Sequence, residues 1–161
     1  MGTLPIDTLR ERVGPLARDI TEGRDMPVLR AGRDDLLPLV RCLKSELAFD
    51  LLLDVTAVDW SDQPERFEVV YHFYSTAYLC RVRIKVRLTE QDPVIDTLTA
   101  LYGSAAYAER ECHEMFGIVF RGNADLRPLL LYEGFVGHPL RKDFPKQQEQ
   151  PLVPYRQVSS S

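Results

Sequence analysis

Hydrophobic and polar residues alternate most regularly between Phe67 and Leu88. Phe67, Val69, Tyr71 and Phe73 are spaced by Glu68, Val70, His72 and Tyr74. Cys80, Val82, Ile84, Val86 and Leu88 are spaced by Arg81, Arg83, Lys85 and Arg87. Period two with one apolar face predicts an antiparallel hairpin over 67–88 that packs on one side. A four-residue connection, Ser75 to Tyr78, is of ordinary hairpin length. It pairs Tyr74 with Leu79, Val69 with Ile84 and Glu68 with Lys85. The four basic residues on the other face read either as a solvated sheet surface or as a functional stripe. The solvated reading is favoured, because half-buried strands normally carry charge outward.

Helical spacing appears elsewhere. Leu4, Leu9, Val13, Leu16 and Ile20 predict a helix from Asp7 that Pro15 limits or kinks. Pro27 to Arg30 predicts a short strand ending at Gly32. Asp34 and Asp35 open a second helix, acids near its positive end, with Leu36, Leu39, Val40, Leu43 and Leu47 on one face. Phe49 to Trp60 reads as a strand. Val94, Ile95, Leu98 and Leu101 read as a helix after Pro93. A further helix starts near Ala105, with Ala105, Ala108, Cys112, Met115 and Phe116 inward. Glu109, Arg110, Glu111, His113 and Glu114 are expected to face out, Arg110 and Glu114 as a surface pair. Gly117 stops this helix, and Ile118 to Phe120 adds a short extended piece. The whole predicts an α+β domain with a mixed or antiparallel sheet packed by helices.

With 161 residues, 45% of them hydrophobic and 27% charged, the chain fits one globular domain. A net charge of −4 offers no field for nucleic acid. The charge is unevenly placed. Residues 1–120 hold 14 Lys/Arg against 20 Asp/Glu, whereas 121–146 hold five against three. Three scattered cysteines, Cys42, Cys80 and Cys112, form no CxxC or Cys/His cluster. That argues against zinc, iron–sulfur or a disulfide framework, and a reducing compartment fits better. The first residues lack the continuous apolar core of a signal peptide, and the most apolar run, Leu47 to Val58, is broken by Asp50 and Asp54.

Candidate chemistry concentrates after Glu109. His113-Glu114 begins like a zinc-protease motif, but the second histidine, due four residues later, is Gly117. A site built from Cys112 or Glu114 with His113 and His138 has no spacing in its favour. No GxGxxG follows a strand and no GK[ST] occurs, so a nucleotide loop is not indicated. Residues 121–146 carry little periodicity. Gly122-Asn123 predicts a turn, Leu129 to Leu131 must be buried somewhere, and Gly134-Phe135-Val136-Gly137-His138-Pro139 is rich in shape-fixing residues. Such a segment either wraps a partner, with Phe135 and Leu140 as anchors and Arg141 as a forked donor, or covers its own sheet. The polar stretch 147–161 reads as a flexible tail, with a weak PxxP match at Pro151 to Pro154.

The words along the chain resemble a known family. They include Asp54-Val55-Thr56-Ala57-Val58-Asp59-Trp60, Arg66-Phe67-Glu68-Val69-Val70-Tyr71-His72, Arg83-Ile84-Lys85-Val86, Glu109-Arg110-Glu111, Met115-Phe116-Gly117-Ile118 and Asp125-Leu126-Arg127. They end in Gly134-Phe135-Val136-Gly137-His138-Pro139-Leu140-Arg141-Lys142-Asp143-Phe144-Pro145. Together they cover roughly residues 50–145 and resemble the C subunit (30 kDa subunit family) of the proton-pumping NADH:quinone oxidoreductase, respiratory complex I. Departures are Tyr107 where a Trp is common, Cys112-His113-Glu114 in place of a hydrophobic residue followed by Asp, and Asn123-Ala124 in place of His-Pro.

The resemblance implies a non-catalytic structural component of the peripheral arm, with FMN, Fe-S clusters and quinone bound by other subunits. It implies docking to the quinone-site (D) subunit and to the cluster-bearing (B and I) subunits. Membrane contact is then through the complex, on the cytoplasmic side of the bacterial inner membrane. The docking residues implied are Arg127, Phe135, His138, Leu140, Arg141, Lys142 and Asp143. The chain divides accordingly into a globular part, 1–120, an extended docking segment, 121–146, and the tail. Two alternatives stay open: the equivalent subunit of a membrane-bound hydrogenase or other complex-I-like oxidoreductase, and a stand-alone metal-dependent hydrolase using His113, Glu114 and His138.

Overall fold

The computed structural model describes residues 6–145. Leu4, the 147–161 tail and the PxxP match lie outside them. In chain order the elements are α1 (Ile6–Val13), a 3-10 turn (Gly14–Leu16), β1 (Asp19–Glu22), β2 (Pro27–Ala31), α2 (Leu36–Glu46), β3 (Leu51–Asp59), β4 (Phe67–Ser75), β5 (Cys80–Leu88), β6 (Val94–Asp96), α3 (Ala105–Phe116) and β7 (Val119–Arg121). Five strands form one sheet in the order β1-β2-β5-β4-β3, and β6 and β7 pair separately in parallel. Only β2 and β5 run parallel within the large sheet, so it is mixed.

The hairpin alternation places the core as expected. Phe67, Val69, Tyr71 and Phe73 of β4 and Val82, Ile84 and Val86 of β5 are fully buried on one face. The helices contribute Leu9, Leu36, Leu39, Val40, Leu43, Cys112 and Phe116 to the same core. On the other face Glu68 accepts Lys85 at 2.7 Å and Arg87 at 2.9 Å, and Arg83 donates to His72 at 2.8 Å. Glu68 and Val70 are themselves buried beneath this layer, so the face is ion-paired and only partly solvated, because the long basic side chains of β5 cover it.

Three predicted details are corrected. The hairpin register is two residues away from the expected one. Ser75 faces Cys80, Val69 faces Val86 and Glu68 faces Arg87. A slip of two leaves every side chain on its face, so hydrophobic pattern cannot detect it. The turn decides instead, because Asp50 takes the Thr76 N–H at 2.8 Å and its hydroxyl at 2.6 Å, and Leu79 adopts φ 52.

Ile20 belongs to β1, not to a long first helix, which ends at Val13 before Pro15. The 94–101 run is likewise not a helix. β-Branched Val94 and Ile95 pair with Val119 and Phe120, and the Leu98 carbonyl then closes one turn on Leu101 and Tyr102. Ten residues between Pro93 and Ser104 are too few to hold a strand and a stable helix.

Candidate docking site

Helix α3 organises everything that follows it. The last four carbonyls of an α-helix have no partner within the helix and must find donors elsewhere. In α3 all four do. The His113 carbonyl accepts the Gly117 N–H at 2.7 Å. The Glu114 carbonyl accepts Nδ1 of His138 at 2.8 Å. The Met115 carbonyl accepts the Leu140 N–H at 3.2 Å, and the Phe116 carbonyl accepts Nε of Arg141 at 2.6 Å. The Gly134–Pro145 run is thus a C-terminal cap supplied from 24 to 25 residues downstream. The Arg141 cation also sits at the negative end of the helix.

Gly117 permits this arrangement in two ways. Its φ of 75 turns the chain out of the helix. A side chain there would meet Nη2 of Arg141 at 2.5 Å and Nε2 of His138 at 2.6 Å. Gly137, with φ 99, is similarly backed by the Phe144 ring at 2.9 Å from where a Cβ would stand. Phe144 stacks on Phe135, centroids 5.9 Å apart, so the returning segment has a small apolar centre of its own.

Acidic residues of α3 hold the other end of the segment, contrary to the prediction that they face solvent. Glu114 is 7% exposed. Its carboxylate accepts the N–H groups of Leu129, Leu130 and Leu131 at 3.1, 2.9 and 2.8 Å. Glu109 is fully buried and accepts the Leu98 N–H at 2.7 Å, the Thr97 hydroxyl at 2.5 Å and the Asn123 amide at 2.9 Å. Burial pushes its carboxyl above the ordinary range despite those three donors.

The expected Arg110–Glu114 pair is absent among the described residues. Arg110 instead donates to the carbonyls of Arg127 and Pro128 and to Asp125. These three helix residues were missed as anchors. The available signal was the segment itself: backbone without strand or helix partners needs acceptors, and the preceding helix carries the nearest carboxylates.

The far end is stitched to the sheet. Arg66 forks onto Asp59 at 2.9 and 2.8 Å and also meets Glu90 at 2.5 Å and Asp143 at 3.0 Å. The Lys142 N–H reaches the same Asp59 at 2.8 Å. Hydrogen bonds from Arg66 hold the carboxyls of Asp59 and Asp143 below their ordinary values. Arg141 lies over the Phe67 ring, 5.0 Å from its centroid.

Of the predicted docking residues, His138, Arg141 and Asp143 therefore make bonds within the chain. Arg127 closes on Asp125 at 2.8 Å through two nitrogens while remaining open to solvent, and Lys142 is exposed. Phe135 is half-buried, and Leu140 is 54% exposed. Leu129 to Leu131, predicted to be buried, are not. Leu130 is 62% exposed, and Val136 beyond it 68%. The main chain of the segment is held inward by donors and acceptors, and apolar side chains are left outside.

His113, Glu114 and His138 do come together around a cavity of about 140 Å³ that Leu126, Leu131 and Phe135 also line. Both histidines direct Nδ1 to a main-chain carbonyl, Ile118 and Glu114 respectively, each at 2.8 Å. The Glu114 carboxylate is engaged by three amides and so is not placed to act as a general base. No three His, Cys, Asp or Glu side chains converge as ligands among the described residues.

Comparison with known proteins agrees with this geometry. The family model described as the respiratory-chain NADH dehydrogenase 30 Kd subunit matches residues 29–150. The C subunit of NADH-quinone oxidoreductase from Citrifermentans bemidjiense is 43% identical over 139 residues, 86% of each chain. Its counterpart from Moorella thermoacetica is 44% identical over 131 residues, 81% of this chain and 88% of the other. Among solved structures, a trypsin-resistant fragment of Nqo5 superposes with a TM-score of 0.66 at 30% identity, covering 74% of this chain and 97% of the fragment. A chain of the membrane-bound sulfane sulfur reductase, an archaeal respiratory membrane complex, gives 0.76 at 27% identity over 88% and 85%. With β3 to β5, α3 and the returning segment all inside the matched region, the chain belongs to the respiratory-chain NADH dehydrogenase 30 Kd subunit family.

Proposed function

We propose that this chain is a structural component of the peripheral arm of a proton-translocating NADH:quinone oxidoreductase. It supports electron transfer from NADH to quinone without performing a redox step itself. FMN, the Fe-S clusters and quinone are held by other subunits. The observation that carries the reading is the match over residues 29–150 to the 30 Kd subunit family, which takes in the segment that α3 clamps. That clamp agrees with a docking role: the backbone is locked while Leu130, Val136 and Leu140 remain exposed. Ordering before contact reduces what association must fix.

The partners proposed are the quinone-site (D) subunit and the cluster-bearing (B and I) subunits. The proposed location is the cytoplasmic side of the bacterial inner membrane. No helix among the described residues is long and apolar enough to cross a membrane, so attachment through the complex is consistent. The likeness to a chain of the sulfane sulfur reductase complex supports a second reading, the equivalent subunit of a related complex with another electron donor.

The test is a mild-detergent pull-down of the tagged chain from its native membranes, with subunit identification and NADH:quinone turnover of the eluate. Co-elution of the quinone-site and cluster-bearing subunits with that activity is expected. Hydrogenase or sulfur-reductase subunits would favour the second reading. Elution of the chain alone with hydrolase activity would refute both.

A further inference from the structure

At the end of the sheet away from the C-terminal segment, three exposed leucines lie beside two local irregularities of the backbone. Strand alternation about buried Leu52 leaves Leu51 and Leu53 44% and 48% exposed, and a bulge in the β3–β4 register between Leu52 and Asp54 inserts Leu53 as the extra residue. A bulge re-aims a side chain and disturbs the ladder, and it persists where that outcome is useful. In the β4–β5 turn, Leu79 holds φ 52 and is 57% exposed. Gly or Asn would occupy that conformation with less strain and without exposing an apolar side chain. Leu53 and Leu79 line one open cavity of about 590 Å³, together with Leu51, Met26, Tyr74, Arg81 and the carboxylate of Asp25.

The cavity is rigidly presented. Thr76 at the turn is bound twice by Asp50, and the Ser75 hydroxyl accepts the Tyr78 N–H at 3.2 Å. Its cation is uncommitted: the Arg81 side chain forms no hydrogen bond or ion pair among the described residues, whereas the carboxylate of the lining, Asp25, is already taken by Arg83 at 3.4 Å. An apolar floor beside a free guanidinium suits an apolar side chain next to a carboxylate.

We infer that this cavity is an anchor pocket for another protein of the complex, taking a segment that presents an aliphatic or aromatic side chain beside an Asp or Glu. The inference rests on the function proposed above. A second copy of the chain fits less well. A two-fold contact centred here would bring Arg81 towards its own copy. The pocket is one anchor of a larger, heterologous contact. Eight residue steps along β5 separate Cys80 from Leu88, roughly 26 Å at strand spacing. The pocket and the Arg66–Asp143 stitch thus lie at opposite ends of the sheet, and the chain bridges two separate contacts.

The experiment uses the full-length chain and detergent-solubilised complex prepared from membranes of a strain lacking it. Leu79→Asn, Leu53→Gln, Arg81→Glu and Arg81→Lys are compared for thermal midpoint alone, for affinity to the stripped complex, and for hydroxyl-radical labelling of residues 51–53 and 79 before and after assembly. Leu79→Asn is expected to keep or raise the midpoint yet lose affinity about tenfold, the loss typical of an anchor side chain. Arg81→Glu should lose at least as much and Arg81→Lys less, and assembly should protect Leu53 and Leu79 from labelling.

Wild-type affinity for all four variants, with labelling unchanged, overturns the pocket and leaves the proposed function intact. If the wild-type chain does not join the stripped complex, both fall. A self-dimer abolished by Leu79→Asn, or binding to phosphatidylglycerol vesicles that needs the same residues, assigns the pocket to another occupant and overturns the inference.

Discussion

Replacing Glu114 tests whether α3 holds the returning segment through main-chain bonds. Glu114→Ala removes the acceptor from three amides, Leu129, Leu130 and Leu131, without touching the Glu114 carbonyl that His138 uses. A charge-assisted bond contributes about 1.5–3 kcal/mol net when buried. Leu130 is exposed and Leu131 only half-buried, so water recovers much of the loss, and the total is about 2–4 kcal/mol. The segment lies after the last strand of the core, so the change should appear as local opening, not as global unfolding.

Hydrogen exchange of the three amides should accelerate by a factor of roughly 30 to 1,000, since each 1.4 kcal/mol is tenfold. Amides of β4 and β5 should be little affected. Chymotrypsin should also cut after Leu130 and Leu131 sooner. Glu114→Gln, with one remaining acceptor oxygen and a misplaced donor, should fall between the two. Unchanged exchange at 129–131, or an equal acceleration throughout the sheet, would refute the clamp.

Arg141→Ala removes the cap on the Phe116 carbonyl and the stack on Phe67. It should lower stability of the isolated chain by about 1–3 kcal/mol, and assembly per folded molecule should also fall; native gels beside urea denaturation separate the two. Tyr71→Phe should be neutral or stabilising by up to about 1 kcal/mol in thermal unfolding, because the fully buried Tyr71 hydroxyl has no partner among the described residues. Glu109, whose carboxyl burial raises, favours folding most below its ordinary range and loses that contribution as pH rises through its folded value. Asp59, held low by Arg66, contributes above its ordinary value and loses it as pH falls through its lowered one. Denaturation midpoints from about pH 3 to 8 should therefore show Asp59→Asn flattening the acid limb, while Glu109→Gln removes a decline toward neutral pH.

Much of the fold was legible in the sequence because it follows from local periodicity. Alternation along β4 and β5 selects a face, and the apolar stripe of α2 selects a helix; neither depends on what lies opposite. The family was legible too, since the run from Gly134 to Pro145 is read residue by residue. What the sequence left open was decided by contacts between segments far apart. The hairpin register is one case, because a shift of two preserves every face and Asp50, 26 residues away from Thr76, helps to pin the turn. Val94 to Leu101 is another, where a parallel partner after α3 outweighs a helical spacing.

The charges of α3 make the largest difference. From the sequence, Glu109, Arg110 and Glu114 are solvent-facing because charged side chains on a helix are normally solvated. Whether they are depends on what covers the helix, and here the cover is a segment whose free amides need acceptors. Tertiary structure alone brings the donors and carboxylates together, since a hydrogen bond is a matter of distance in space and leaves no period in the chain.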